Sequence, residues 1–137
     1  GQLVIYFDTN ILIYASINQD AEKMIKSQKL LLEVISENKL LISPLVIQEY
    51  VFTLNKLKIE SESIYSKTRA FERYCCHYID NRLIFKSTEL ASKINFFGNI
   101  NDIVHLKFAE TYCSRLITYD SDFDKLKPFS KIEIEIL

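Results

Sequence analysis

Glycine is almost missing from this chain. The two that occur, Gly1 and Gly98, lie far apart in the sequence. A P-loop or a dinucleotide-binding turn needs several glycines close together to bring the backbone up to a phosphate, so both are excluded. Cysteine is scarce too: three residues, two of them adjacent (Cys75, Cys76), make an odd and poorly spaced set. Such a set is no disulfide framework and points to a reducing compartment. Long hydrophobic runs are lacking. Apolar residues fall in short segments, none near the roughly 20 consecutive positions that a membrane helix requires. No basic-then-apolar leader opens the chain, so a cytoplasmic location without membrane association is expected. Excess positive charge is also absent, with 17 basic against 18 acidic residues and a formal net charge of −1. That excludes a nucleic-acid coat protein held by many phosphate contacts. It leaves open an enzyme whose carboxylates carry divalent cations, because such a cluster attracts phosphate while counting as negative. Repeats, linkers and low-complexity tracts are missing as well. Residues 1–137 therefore read as one domain, long enough to bury a core without disulfides.

What is present alternates between strands and helices. Leu3 to Phe7 is a continuous β-branched and aromatic run, the mark of a strand buried on both faces, and it stops at the polar turn Asp8-Thr9-Asn10. A short apolar helix covers Ile11 to Ile17. Asp20 can cap a longer one from Ala21 to about Asn38, with Met24, Leu31, Leu32 and Ile35 inward. Leu40 to Ile42 is a second strand. Ser43 and Pro44 then start a helix through Val46, Tyr50 and Leu54, the serine as cap and the proline at the first helical position. The spacing of Ile64, Phe71, Tyr74 and Tyr78 predicts a helix over 61–78. Arg82 to Phe85 reads as a third strand. Helices follow over 88–97 and 102–114, broken at Gly98-Asn99. Leu116 to Tyr119 is a fourth strand, and Ile132 to Ile136 a fifth, with Glu133 and Glu135 alternating as on an edge. Strands separated by helices imply an α/β fold: a five-stranded, mostly parallel sheet with helices on both faces.

In such sheets ligands sit beyond the carboxyl ends of the strands. Asp8 follows the first strand directly, and Asp120 and Asp122 follow the fourth. Glu49 lies about a turn and a half of helix past the second strand, on the order of 9 Å of rise. Asp102 opens the helix that leads into the fourth strand. Acids far apart in sequence are thus expected at one end of one sheet. Carboxylates packed together repel, so they must protonate or hold cations, and an all-oxygen set suits Mg²⁺ or Mn²⁺ better than Zn²⁺. One or two cations there can activate water and neutralise charge on a phosphate. Against this stands the plainer account of an Asp after a strand as a turn former or helix cap.

Other chemistries on this scaffold fit less well. A haloacid-dehalogenase-like phosphatase wants a second Asp two residues after the first, where Asn10 stands. A response-regulator receiver wants a phosphoaccepting Asp after the third strand, where Lys86-Ser87 follows.

The remaining pattern resembles the PIN-domain family, which includes the VapC-type toxins. Phe7-Asp8-Thr9-Asn10-Ile11-Leu12 is similar to the family's opening motif, and Ser43 to Glu49 to its second. Asn101-Asp102-Ile103-Val104-His105-Leu106 resembles the third, and Leu116 to Phe123 the fourth, all in order. The resemblance implies Mg²⁺- or Mn²⁺-dependent cleavage of single-stranded or structured RNA, and for many bacterial members a homodimeric toxin silenced by a small antitoxin protein. It implies Asp8 and Asp102 as principal metal ligands, completed by Glu49 and Asp120, with Asp122 able to share or replace the role of Asp120. Asn10 and Thr118 would orient the carboxylates. Lys107 and Phe108 depart from the family pattern, which has small residues there.

His105 lies one turn after Asp102 on the same face, placed either to bond a carboxylate or simply to pack. Cys75-Cys76-His77 lacks zinc-ligand spacing. Arg69, Arg73, Lys56, Lys58, Lys125 and Lys127 read as solvated surface, and the tyrosines as core and interface. Two functions remain: an endoribonuclease, or a catalytically inactive PIN-fold module whose acidic edge binds a protein or RNA partner. A nuclease acting on structured DNA fits less well, since no extra segment is present to grip a duplex.

Overall fold

The computed structural model describes residues 3–137. Its sheet is built from four short strands, β1 (Ile5–Phe7), β2 (Leu40–Leu41), β3 (Arg115–Thr118) and β4 (Glu133–Ile136), in the order β2-β1-β3-β4. Every pairing is parallel, with Tyr6 opposite Leu41 on one side and Leu116 on the other. The apolar runs explain the arrangement, for Ile5, Tyr6, Phe7, Leu116 and Ile117 are all buried. β4 is an edge strand on which Ile134 is buried and Glu133 exposed, and Arg115 of β3 pairs with Glu133 and Glu135.

Helices flank the sheet. α1 (Thr9–Ser16) starts at Asp8, and α2 (Ala21–Ser36) at Asp20, whose carboxylate accepts the Lys23 N–H at 3.1 Å. Leu31 and Ile35 of α2 pack against the core as the pattern predicts, but Leu32 points to solvent, 69 % exposed. α3 (Pro44–Lys56) begins as expected, with Ser43 Oγ accepting the Val46 N–H at 3.2 Å. α4 spans only Ser61–Arg69. The helix expected to reach Tyr78 stops there, passes into a 3₁₀ turn at Glu72–Tyr74, and leaves Tyr78 89 % exposed.

The expected strand at Arg82–Phe85 is instead the first turn of α5 (Asn81–Ile94), so the sheet has four strands rather than five. Asp80 caps this helix, accepting the Leu83 N–H at 2.9 Å. Leu83, Ser87, Leu90, Ala91 and Ile94 then recur at helical spacing against the core. Four residues of mixed character could not reveal that period alone. A 3₁₀ turn at Phe97–Asn99 leads into α6 (Ile100–Tyr112), which starts two residues ahead of Asp102. Phe108 is fully buried and packs on Tyr6, ring centroids 5.7 Å apart, so the large residue fills core space at this point. A run of 3₁₀ turns, Ser121–Phe129, joins β3 to β4.

The chain runs from β1 to β2 on one side of the sheet and later fills the other side with β3 and β4. Connections therefore diverge at the carboxyl ends of β1 and β3, where α/β sheets open a crevice. Asp8 and Asp120 stand there.

Candidate active site

Asp8 is 5 % exposed, an unusual place for a carboxylate, and donors surround it. Its Oδ1 caps α1 by accepting the Thr9 N–H at 2.8 Å, while Oδ2 accepts the Thr118 hydroxyl at 2.7 Å and the Asn10 amide at 3.4 Å. Asn10 Oδ1 in turn accepts the Tyr119 N–H at 3.2 Å, which ties α1 to the end of β3. Burial pushes the Asp8 carboxyl up, against the pull of His105 and of the Thr118 and Thr9 hydrogen bonds.

Glu49 is brought to Asp8 by α3. Its Oε1 accepts the Thr9 hydroxyl at 2.6 Å and lies 2.6 Å from His105 Nε2, and its Oε2 accepts the Asn101 amide at 3.2 Å. Partial burial raises this carboxyl, but the hydrogen bond and charge of His105 outweigh that and hold it below its usual range. His105 itself is 1 % exposed, with Nε2 also 3.5 Å from Asp8 Oδ1 and Nδ1 2.5 Å from the Tyr6 hydroxyl. Burial disfavours the imidazolium, yet Asp8 and Glu49 raise its pKa above the usual value. The ring nitrogens of His105 thus bridge Glu49 and the Tyr6 hydroxyl, which itself lies 2.8 Å from Ser43 Oγ. Of the two roles open to His105 in the sequence, the structure gives it the carboxylate contact as well as burial.

The other acids gather beside this set. Single oxygens of Asp102, Asp120 and Asp122 lie within 4.8 Å of one another. Asn99 bridges two of them, donating to Asp102 at 3.0 Å and to Asp122 at 3.1 Å. Asp120 caps the following 3₁₀ run by accepting the Asp122 N–H at 2.9 Å, and its own N–H donates to Thr118 Oγ1 at 2.9 Å. Burial, opposed by Asn99 and reinforced by the charges of Asp8 and Asp120, pushes the Asp102 carboxyl up to about 6.

Asp8, Glu49, Asp102 and Asp120 line one open cleft of roughly 510 Å³, while Asp122 stays exposed at its rim. The donor set fits a hard divalent cation: oxygen ligands, and negative charge that a single imidazole does not balance. His105 has both ring nitrogens engaged by protein groups, so it serves the carboxylates rather than an ion. Cys75, Cys76 and His77 belong to neither ligand cluster found among the described residues. Thr9, Asn99 and Asn101 were not singled out by sequence, although each sits within two or three residues of an acid. Tyr6 gave no signal beyond its place in an apolar strand.

Comparison with known proteins bears on the fold and the family. No curated protein matches the sequence. Among solved structures, one from the crystal structure of VapBC2 from Rickettsia felis bound to a DNA fragment from their promoter covers 98 % of this chain and 99 % of its own, at 21 % identity and a TM-score of 0.69. Mycobacterium tuberculosis VapC20, described as a Sarcin-Ricin loop cleaving toxin, covers 90 % of this chain and 95 % of its own, at 13 % identity and a TM-score of 0.67. Both are likenesses of fold. The PIN domain family model matches residues 5–127, a span that includes all five acids, and the chain belongs to the PIN domain family.

Proposed function

We propose that this PIN domain is a Mg²⁺- or Mn²⁺-dependent endoribonuclease that hydrolyses RNA phosphodiester bonds, and that it is the toxin of a type II, VapBC-like toxin–antitoxin pair. The observation that carries the reading is the meeting of Asp8, Glu49, Asp102 and Asp120 in one cleft at the switch point of the sheet. Charged groups converging there without balancing cations lower the stability of the empty fold, a cost that a metal-binding function accounts for.

In this reading Asp8, Glu49, Asp102 and Asp120 hold one or two cations, and Asp122 adds charge from the rim. A bound divalent cation supplies an acidified water and neutralises charge building on the phosphate. The chain supplies the orientation. Thr118 and Asn10 fix the Asp8 carboxylate from one side and the Thr9 N–H from the other. His105, Thr9 and Asn101 hold Glu49 as a charged group in one rotamer. Preset ligands need no rearrangement when substrate arrives.

The toxin reading brings a small antitoxin protein, a homodimer and a cytoplasmic location. It is supported by the likeness to a chain of the Rickettsia VapBC2 assembly and to VapC20, the Sarcin-Ricin loop cleaving toxin. No helix among the described residues is long and apolar enough to cross a membrane.

Purified protein is expected to cleave RNA when Mg²⁺ or Mn²⁺ is added and to stop in excess EDTA, with Asp8→Asn silent but folded. Undiminished cleavage in EDTA, or by Asp8→Asn, contradicts the reading. Tight binding of a partner with no cleavage under any metal would instead identify the inactive module.

A further inference from the structure

Tyr6 lies two residues before Asp8, and the backbone at Asp8 is still extended, so the two side chains leave β1 on the same face of the sheet. Phenylalanine would fill the same space with no hydroxyl to satisfy, yet the chain buries a phenol there completely. The hydroxyl has two partners. It lies 2.5 Å from His105 Nδ1 and 2.8 Å from Ser43 Oγ, and both of those residues are buried as well. A phenol oxygen accepts while its proton donates, so one hydroxyl serves both neighbours.

The partners belong to the elements that carry the other acids. Ser43 caps α3, its Oγ accepting the Val46 N–H at 3.2 Å, and Glu49 follows about 9 Å further along that helix. His105 stands on α6 three residues after Asp102, with Nε2 2.6 Å from Glu49 Oε1. Phe108, one turn further along α6, packs on the Tyr6 ring and steadies it, centroids 5.7 Å apart. A single oxygen on β1 thus joins the start of α3 to the middle of α6. Asp8, Glu49 and Asp102 each hang from one of the three elements so joined. Tyr6 and Ser43 do not line the cleft, so neither touches what the cleft holds.

We propose that the Tyr6 hydroxyl is a positioning group for the metal site: by tying Ser43 to His105 it fixes the imidazole, and through it Glu49, in the setting a divalent cation requires. The inference rests on the metal-dependent reading of the cleft and adds the residue that sets its geometry. An imidazole held at Nδ1 keeps Nε2 aimed at Glu49; without the phenol oxygen it keeps one anchor and is free to turn. Groups that hold an ion's ligands from behind set metal affinity by roughly 10- to 100-fold. A hydroxyl that served stability alone would change melting on removal and leave ion binding untouched.

Isothermal titration of Mn²⁺ into Tyr6→Phe protein, at a temperature where melting curves show it folded, tests this. The variant is expected to bind Mn²⁺ about tenfold more weakly than wild type. Tyr50→Phe is the matched control. Tyr50 follows Glu49 on α3 and is equally buried, but its hydroxyl lies 2.7 Å from Ser16 Oγ, outside the Tyr6–His105 chain. Tyr50→Phe is expected to keep wild-type Mn²⁺ affinity whatever it does to melting. Wild-type affinity in Tyr6→Phe, or an equal weakening in Tyr50→Phe, overturns the proposal. Should Tyr6→Phe not fold, Ser43→Ala decides by the same titration: weaker binding supports the tie and unchanged binding overturns it. Failure of the metal reading shows differently, as wild-type protein that takes up no Mn²⁺, and it takes the proposal down with it.

Discussion

The two acidic halves of the cleft are built on opposite principles. Asp8 and Glu49 are surrounded by donors: Thr9, Asn10, Thr118, Asn101 and a doubly engaged His105. Asp102 and Asp122 share the Asn99 amide, and Asp120 accepts one backbone N–H, that of Asp122. In the first half Glu49 is held below the usual carboxylate range while burial pushes Asp8 up, and in the second burial takes Asp102 up to about 6. The first half is preassembled by protein donors, and the second has few of them. The contrast can be broken or sharpened by mutation.

The largest expected effect is catalytic. Asp8→Asn removes charge from the preassembled half and is expected to lower RNA cleavage by roughly three orders of magnitude, measured in single turnover with Mn²⁺. The next is structural. His105→Ala removes the cationic group between Asp8 and Glu49 and is expected to cost about 3 kcal/mol. A chain of this size would then melt about 10 °C lower, read by circular dichroism. An unchanged melting temperature would show that the imidazole is not what holds the two acids together.

Asp102→Asn reverses the sign. The folded carboxyl titrates near 6, above its unfolded value, so its contribution to stability is fully present below about pH 4 and lost as pH rises through about 6. Without metal the variant is therefore expected to be the more stable protein at neutral pH, by on the order of 1 kcal/mol after solvent screening, with the gain vanishing in acid. Melts in EDTA across a pH series would show it. The smallest effect belongs to Asp122. It is exposed and outside the cleft lining, so Asp122→Asn is expected to change cleavage less than tenfold.

Much of this comparison was readable from sequence, and the limits are physical. Asp8, Glu49, Asp102 and Asp120 could be grouped because each follows a strand or starts a helix at a known end of a parallel sheet, and topology then determines their neighbourhood. The expected third strand failed at Arg82–Phe85 because a four-residue stretch has no period of its own, and the cap at Asp80 decides for helix. The difference between the halves was not readable. Glu49 and Asn101 are 52 residues apart, and Tyr6 and His105 are 99 apart. No local rule links such pairs, so which acid receives donors and which goes without appears only once the chain is folded.

Diffraction from Mn²⁺-soaked crystals, using the anomalous signal of the metal, tests the centre of this account most directly. The expected result is a peak in the cleft touching the carboxylates of Asp8 and Asp102, absent from crystals of Asp102→Asn. Crystals that take up Mn²⁺ elsewhere, or not at all, with this cleft filled only by water would contradict it.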